Sequence, residues 1–258
     1  MNYETILYEA TDNVVKITLN RPDVMNGLNA QMRVDLLHAV KHAPLDGRVI
    51  IFTGAGRGFC SGQDLGDRVS SSDIDLERTL MEEYEPLLKA IYDCPIPTIS
   101  AINGPAAGAG ANLALAADVV IATQSAFFIQ AFARIGLLPD AGGTYWLPRQ
   151  MGFAKAMGAA LFADKITADQ AADWGMVWES IPDDDFASTV HARAEKLANG
   201  PTKAYKYIKQ ALRSSYDNSL DDQLALEAKL QGKAGKTRDF TEGVMAFMEK
   251  RKPQFKGN

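Results

Sequence analysis

Asp140 stands in the run Ile135-Gly136-Leu137-Leu138-Pro139-Asp140-Ala141-Gly142-Gly143-Thr144, after apolar residues and before small ones that can open a helix. Apolar neighbours disfavour an ionised carboxyl and raise its pKa, which makes such an acid a candidate general base. Packing by Leu137, Leu138 and Phe132 is expected to outweigh the opposite pull of a helix start. The same residues also suit a plain helix N-cap, a favoured place for Asp. Two glycine-rich turns add possible donors. Gly54-Ala55-Gly56-Arg57-Gly58-Phe59-Cys60-Ser61-Gly62-Gln63-Asp64-Leu65 follows an apolar run, and Asn103-Gly104-Pro105-Ala106-Ala107-Gly108-Ala109-Gly110-Ala111-Asn112 precedes a helical one. Small residues leave backbone N–H groups open to an anion, although close packing of a helix on a sheet explains them equally well. Two donor-rich turns and one half-buried acid would suit a reaction in which a carbonyl oxygen gains charge while a proton moves on the adjacent carbon.

Other chemistries fit the sequence poorly. The first turn reads G-x-G-x-G rather than a dinucleotide fingerprint, and it lacks the Gly-Lys-Ser/Thr of a phosphate loop. Gly-x-Ser-x-Gly is absent, which leaves a hydrolase serine unsupported. His38 and His42 have a zinc-compatible spacing without the intervening glutamate, His191 is isolated, and no metal site is expected. Cys60 and Cys94 are too few for a disulfide scaffold. A net charge of −5 argues against nucleic acid as a partner. The most apolar run, near Ala111–Ala122, is broken by Asp118 and is too short to span a membrane. Met1-Asn2-Tyr3-Glu4 shows no signal-peptide pattern, so a cytoplasmic location is expected.

The elements that must position these groups read as α/β. Ile6–Glu9 and Val14–Leu19 are a predicted hairpin, and Arg48–Thr53, Thr98–Ile102 and Val119–Ala122 are short apolar strands. Helices are predicted from an Asn29 cap, over Leu76–Tyr92, and over Ala109–Ala117. Beyond Asp140 the chain reads as helical, with a capping box at Thr167 and Gln170. The pattern predicts a core over residues 1–200 and a helical oligomerisation region over 201–258. Faces such as Tyr207-Ile208-Leu212 and Phe240-Val244-Phe247 there need a partner to cover them.

The three chemistry-bearing segments, with Asn20-Arg21-Pro22 and the stretch Phe247–Phe255, resemble the crotonase (enoyl-CoA hydratase/isomerase) superfamily along essentially the whole chain. Gly-Gln-Asp-Leu, Ala-Ala-Gly-Ala-Gly-Ala and Pro-Asp-x-Gly-Gly-Thr are most similar to its 1,2-epoxyphenylacetyl-CoA isomerase subgroup of phenylacetate degradation. The resemblance implies a crotonase fold of repeated ββα units, completed by a C-terminal trimerisation region in a homotrimer or a hexamer of two trimers. It implies an acyl-CoA thioester substrate, with CoA as part of the substrate and no separate cofactor. The amides of Gln63 and Ala109 would form the oxyanion hole, and the Ser61 carbonyl would receive the adenine amino group. Gly62, Asp64, Leu65, Gly108, Gly110, Asn112 and Phe132 would line the thioester site. Arg21 and Lys250 are candidates for the CoA phosphates, with ordinary surface solvation an equal explanation.

Hydratases of this superfamily use two glutamates, and Asn112 and Phe132 occupy the matching positions here. The resemblance therefore implies an isomerase with Asp140 as its one acid. Either a ring epoxide converts to an oxepin or a double bond shifts along the acyl chain. A hydratase with altered acid/base residues and a CoA-binding pseudoenzyme are the alternatives.

Overall fold

The structure, a computed structural model, describes residues 2–64, 66 and 75–258; Leu65 lies outside them. β1 (Ile6–Thr11) and β2 (Val14–Leu19) form the expected hairpin, and β3 (Val49–Gly54), β4 (Thr98–Ile102), β6 (Val119–Thr123) and β9 (Glu179–Ile181) extend the sheet. The strand order is β1-β2-β3-β4-β6-β9, parallel from β2 onward. A small second sheet joins β5 (Ala106–Ala107), β7 (Phe127–Ile129) and β8 (Ile166–Thr167).

Period-two alternation decides what each face of the main sheet buries. Val49 and Ile51 of β3, with Ile99 and Ala101 of β4, pack against Val190, Ala194 and Ala198 of α8 (Asp183–Ala198). Ile50, Phe52 and Ile102 face the larger core, shared with α1 (Ala30–Asp46), α3 (Glu85–Tyr92) and α4 (Ala109–Leu115). With both faces covered, these strands need continuous apolar runs.

Asn29 caps α1 as the sequence implies, accepting from the Met32 N–H at 2.9 Å. The helix predicted over Leu76–Tyr92 is continuous but not regular. α2 (Leu76–Thr79) passes into a π turn (Leu80–Tyr84) and then into α3. Such turns are rare and carry an extra residue, which re-aims the side chains around them.

The purely helical reading beyond Asp140 needs correction. α5 (Gly143–Met151), α6 (Phe153–Phe162) and α7 (Ala168–Asp173) are there, and Thr167 with Gln170 makes the capping box. β8 and β9 nevertheless interrupt them. β9 is three half-buried residues at a sheet edge, too short for an alternation pattern to register.

From Thr202 onward the chain forms α9 (Thr202–Ser214), α10 (Leu220–Ala234) and α11 (Arg238–Met248). Lys209 and Arg213 of α9 each reach Asp118 at 2.7 Å, which ties this region to the start of β6. Ile208, Leu212, Phe240 and Phe247 stay exposed on the single chain. Among the described residues no helix is long and apolar enough to cross a membrane.

Candidate active site

The turn after β3 is held against the turn before α4. Asn26, fully buried with a positive φ, donates its amide to the Gly58 and Phe59 carbonyls at 2.9 and 3.1 Å. A parallel bridge from Cys60 to Ala106 then joins the two turns, and the Ala107 N–H donates to the Cys60 carbonyl at 2.9 Å. Cys60 itself is buried; its thiol reaches the Asn26 carbonyl at 3.1 Å, and burial pushes its pKa up to about 12. It is a packing residue here, as is Gly110, where any side chain would meet Cys60 Sγ at 2.6 Å.

Gln63 and Ala109 come together by this packing. Leu28 donates to the Gly62 carbonyl at 2.8 Å and accepts from Asp64 N–H at 3.2 Å, so Gln63's own N–H points off the opposite side of that bridge. Ala109 opens α4, where the first N–H groups have no carbonyl four residues back. Gly62 sits between them with φ +96°. A side chain on it would lie 2.8 Å from the Ala107 carbonyl and 3.4 Å from the Ala109 nitrogen. Only glycine permits both the backbone angle and the close approach.

Asp140 is not a helix cap. α5 begins three residues later, capped by Gly142 in the left-handed region without a side-chain bond. Asp140's carbonyl accepts from Gly143 N–H at 2.8 Å and from Asn112 Nδ2 at 2.7 Å. Asn112 Oδ1 in turn accepts from Gln130 Nε2 at 2.9 Å. Asn112 lies one turn of α4, about 5 Å, beyond Ala109, so this bond ties the Asp140 backbone to the same end of the helix that carries the Ala109 amide. The carboxyl is half-buried, and its Oδ1 is sealed from water without a hydrogen-bond partner. Burial pushes its pKa up to about 6, against one opposing bond from its own N–H.

The surroundings include more than the expected leucines. Leu137 and Leu138 are 38% and 70% exposed, yet Leu138 lines the same cavity of about 520 Å³ as Asp140. Tyr84, Leu88, Tyr92, Tyr145 and Trp146 line it as well. Glu85 also lines this cavity but pairs with Lys89.

The π turn delivers Tyr84 to the same cavity. Its hydroxyl donates to Gln63 Oε1, and Arg33 stacks over its ring at 4.9 Å. Arg33, itself buried, donates to Gln63 Oε1 at 3.2 Å and to the Leu28 carbonyl at 2.7 Å, and it pairs with Glu83. The Gln63 side chain is thereby anchored from two sides, while its backbone amide points away from the Leu28 bridge. Burial and the nearby Asp140 charge both raise the Tyr84 pKa, so its hydroxyl stays protonated.

The remaining expected residues fall in different places. Ser61 is exposed, with its N–H on the Met25 carbonyl at 2.9 Å and its hydroxyl on the Val24 carbonyl at 3.1 Å. Phe132 is buried, with the edge of its ring beside Gly108. Arg21 donates to Asp64 at 2.7 Å and to the Gly27 carbonyl, so both Arg21 and Asp64 are matched within the chain. Lys250 sits past α11 beside the Arg251–Glu242 ion pair, in the C-terminal helical region. Asn112 is corrected from a substrate contact to a support, because it is 0% exposed and its amide is engaged at both ends. His38 meets the Tyr3 hydroxyl at 2.9 Å and His42 meets Asp46 at 3.1 Å.

A profile of the enoyl-CoA hydratase/isomerase family matches residues 9–258. The chain belongs to that family. Among its relatives, a probable enoyl-CoA hydratase of Rhodobacter capsulatus is 59% identical over all of both chains. The 1,2-epoxyphenylacetyl-CoA isomerase of Escherichia coli is 46% identical, covering 98% of this chain and 99% of that one. A crystal structure of an enoyl-CoA hydratase from Bacillus anthracis superposes with a TM-score of 0.94 at 32% identity, covering 99% and 100% of the two chains. This member of the hydratase/isomerase family thus has the crotonase fold that the resemblance implied.

Within the family two groups escaped the sequence reading. Tyr84 and Arg33 stand among ordinary helical residues, and only the π turn brings Tyr84 to Gln63. Gln130 follows a three-residue strand, and its tie to Asn112 spans 18 positions. A glutamine in a buried run was the single clue.

Proposed function

We propose that this chain isomerises a CoA thioester, with Asp140 as its single base and the Gln63 and Ala109 amides on the thioester oxygen. The observation that carries the reading is Asp140 itself: it lines the aromatic cavity, its Oδ1 is buried without a partner, and its carbonyl is bonded to Asn112, one turn of α4 beyond Ala109. A carboxyl kept from solvent near pH 6 holds a proton weakly enough to take one and return it at neutral pH.

Asp140 removes a proton from the carbon beside the thioester carbonyl, and the electron pair moves onto the carbonyl oxygen. Each amide contributes about 3 kcal/mol to holding that charge. The dienolate then takes the same proton two carbons away, which shifts the double bond and restores the carboxylate. Tyr84, Tyr92, Tyr145 and Trp146 around the cavity support a flat, ring-bearing acyl group. The name of the Escherichia coli relative adds to that support, and 1,2-epoxyphenylacetyl-CoA, opening to its oxepin, is the substrate we favour. The exposed apolar faces of α9 to α11 support a homotrimer, alone or paired as a hexamer.

The name of the Rhodobacter capsulatus relative favours a second reading, hydration of an enoyl thioester. Water activation on that scheme draws on carboxyls at two positions that here hold Asn112 and Phe132. Two incubations separate the readings. A 3-enoyl thioester in deuterated water should be isomerised by the wild type, with turnover lost in Asp140→Asn. A crotonyl thioester should keep its conjugated absorbance. Loss of that absorbance with no isomerisation would establish the hydratase; no reaction or deuterium uptake with either thioester, and no conversion of the ring-epoxide thioester, would establish a binding protein.

A further inference from the structure

We propose that Tyr92, Tyr145 and Trp146 form the end wall of the acyl pocket and set the longest acyl chain that this enzyme accepts. The inference rests on the reading that the Asp140 cavity holds the acyl group. Behind that cavity lies a second one of about 410 Å³, between the core and α9. The three aromatic residues line both cavities and so stand between them. Their ring centroids are 4.8 to 6.4 Å apart, and Tyr145 meets both neighbours edge-on. The far cavity is largely apolar where Leu115, Val119, Ile208 and Leu212 line it. An alkyl chain would therefore gain by entering, and the wall is what stops it.

The wall is fixed rather than loose. Trp146 Nε1 donates to the Ala141 carbonyl at 3.3 Å. A side chain at Gly142, with φ +82°, would collide with the indole. The turn that carries Asp140 thus also seats Trp146, so the distance from base to wall is set within six residues. On the far side Arg149 stacks over Tyr145 at 3.7 Å and Arg213 over Tyr92 at 3.9 Å. Stacked cations hold those rings in place.

Calorimetric titration with CoA, hexanoyl-CoA and decanoyl-CoA tests this without relying on turnover, since saturated thioesters have no double bond to shift. The wild type should bind hexanoyl-CoA at least tenfold more tightly than CoA and gain less than threefold on going to decanoyl-CoA. In Trp146→Ala the decanoyl thioester should bind at least tenfold more tightly than the hexanoyl one, since each buried methylene is worth about fourfold in affinity. Tyr92→Leu opens the wall from the other helix and should give the same gain if Trp146→Ala shows no cooperative unfolding transition. A steady wild-type gain from hexanoyl to decanoyl, or an unchanged profile in the folded variants, would overturn the wall. A wild type that binds hexanoyl-CoA no better than CoA would instead sink the acyl-pocket reading itself.

Discussion

Replacing Asp140 by Asn should make the protein inactive and more stable at once. Burial lifts this carboxyl from its ordinary value of 3.8 to about 6. At about 1.36 kcal/mol per pH unit the displacement corresponds to about 3 kcal/mol, and partial solvent access to the side chain screens that to about 1–2 kcal/mol. The sign follows from linkage. Between pH 4 and 6 the native state holds a proton on Asp140 that the unfolded chain has released, so this group costs stability progressively as pH rises through that window. Below pH 4 both states are protonated and the cost vanishes; above pH 6 it is constant. Asn carries no such charge. The unfolding free energy of Asp140→Asn, relative to wild type, should therefore rise by about 1–2 kcal/mol from pH 4 to pH 7 and then stay level. Wild-type kcat/KM should fall about tenfold per unit below pH 6, and the variant should lose about 10²–10⁴ in turnover, as general-base removal does. Denaturant titrations at each pH, alongside the rates, test both halves. A stability difference that does not change with pH would refute the burial of the charge, and a flat wild-type rate profile would refute its role as base.

Other consequences follow from the same contacts. Tyr84→Phe removes the hydroxyl from Gln63 Oε1 and leaves the ring under Arg33; kcat should drop about tenfold with KM nearly unchanged, for a stability cost of about 1 kcal/mol by chemical denaturation. Asn112→Ala strands the buried Gln130 amide and frees the Asp140 carbonyl, which should cost about 1–3 kcal/mol and slow turnover, measured on the same preparation. Ala141 holds a left-handed φ of 47°, so Ala141→Gly should raise the unfolding midpoint by about 1–3 °C, because the backbone strain relieved exceeds the entropy glycine adds to the unfolded chain. Light scattering on the native protein should give three or six times the mass of the 258-residue chain; a monomer would refute the trimer.

What the sequence revealed and what it hid divide along a physical line. Strands β3, β4 and β6 are buried on both faces and write short runs without charge, β2 is marked by its β-branched residues, and α1 announces itself through Asn29. Asp140, Gly62 and Gly108 were legible because small residues and positive-φ turns leave few alternatives. The supports were not. Arg33 to Gln63 spans 30 positions and Gln130 to Asn112 spans 18, and a long-range bond between polar side chains leaves no period in the chain. Leu137 and Leu138 show the same limit from the other side. Leu138 does line the cavity beside Asp140, but so do Tyr84 and Trp146, which the π turn and α5 bring there and no local pattern announces.

Asn112 links these observations. The resemblance placed it where a hydratase of this family keeps a glutamate, and its amide could be counted simply as a lost acid. In the fold the amide does something a carboxylate could not: it donates to the Asp140 carbonyl while accepting from Gln130. A carboxylate there has no proton to donate and would face that carbonyl oxygen with like charge. On the proposed reading the amide at position 112 and the acid at position 140 are coupled, because Asn112 holds the turn that carries the proposed base. Restoring the acid by Asn112→Glu alone should not restore hydration. It should displace the Asp140 turn, lower isomerase turnover and leave a crotonyl thioester unchanged, and hydratase activity in that single variant would disprove the coupling.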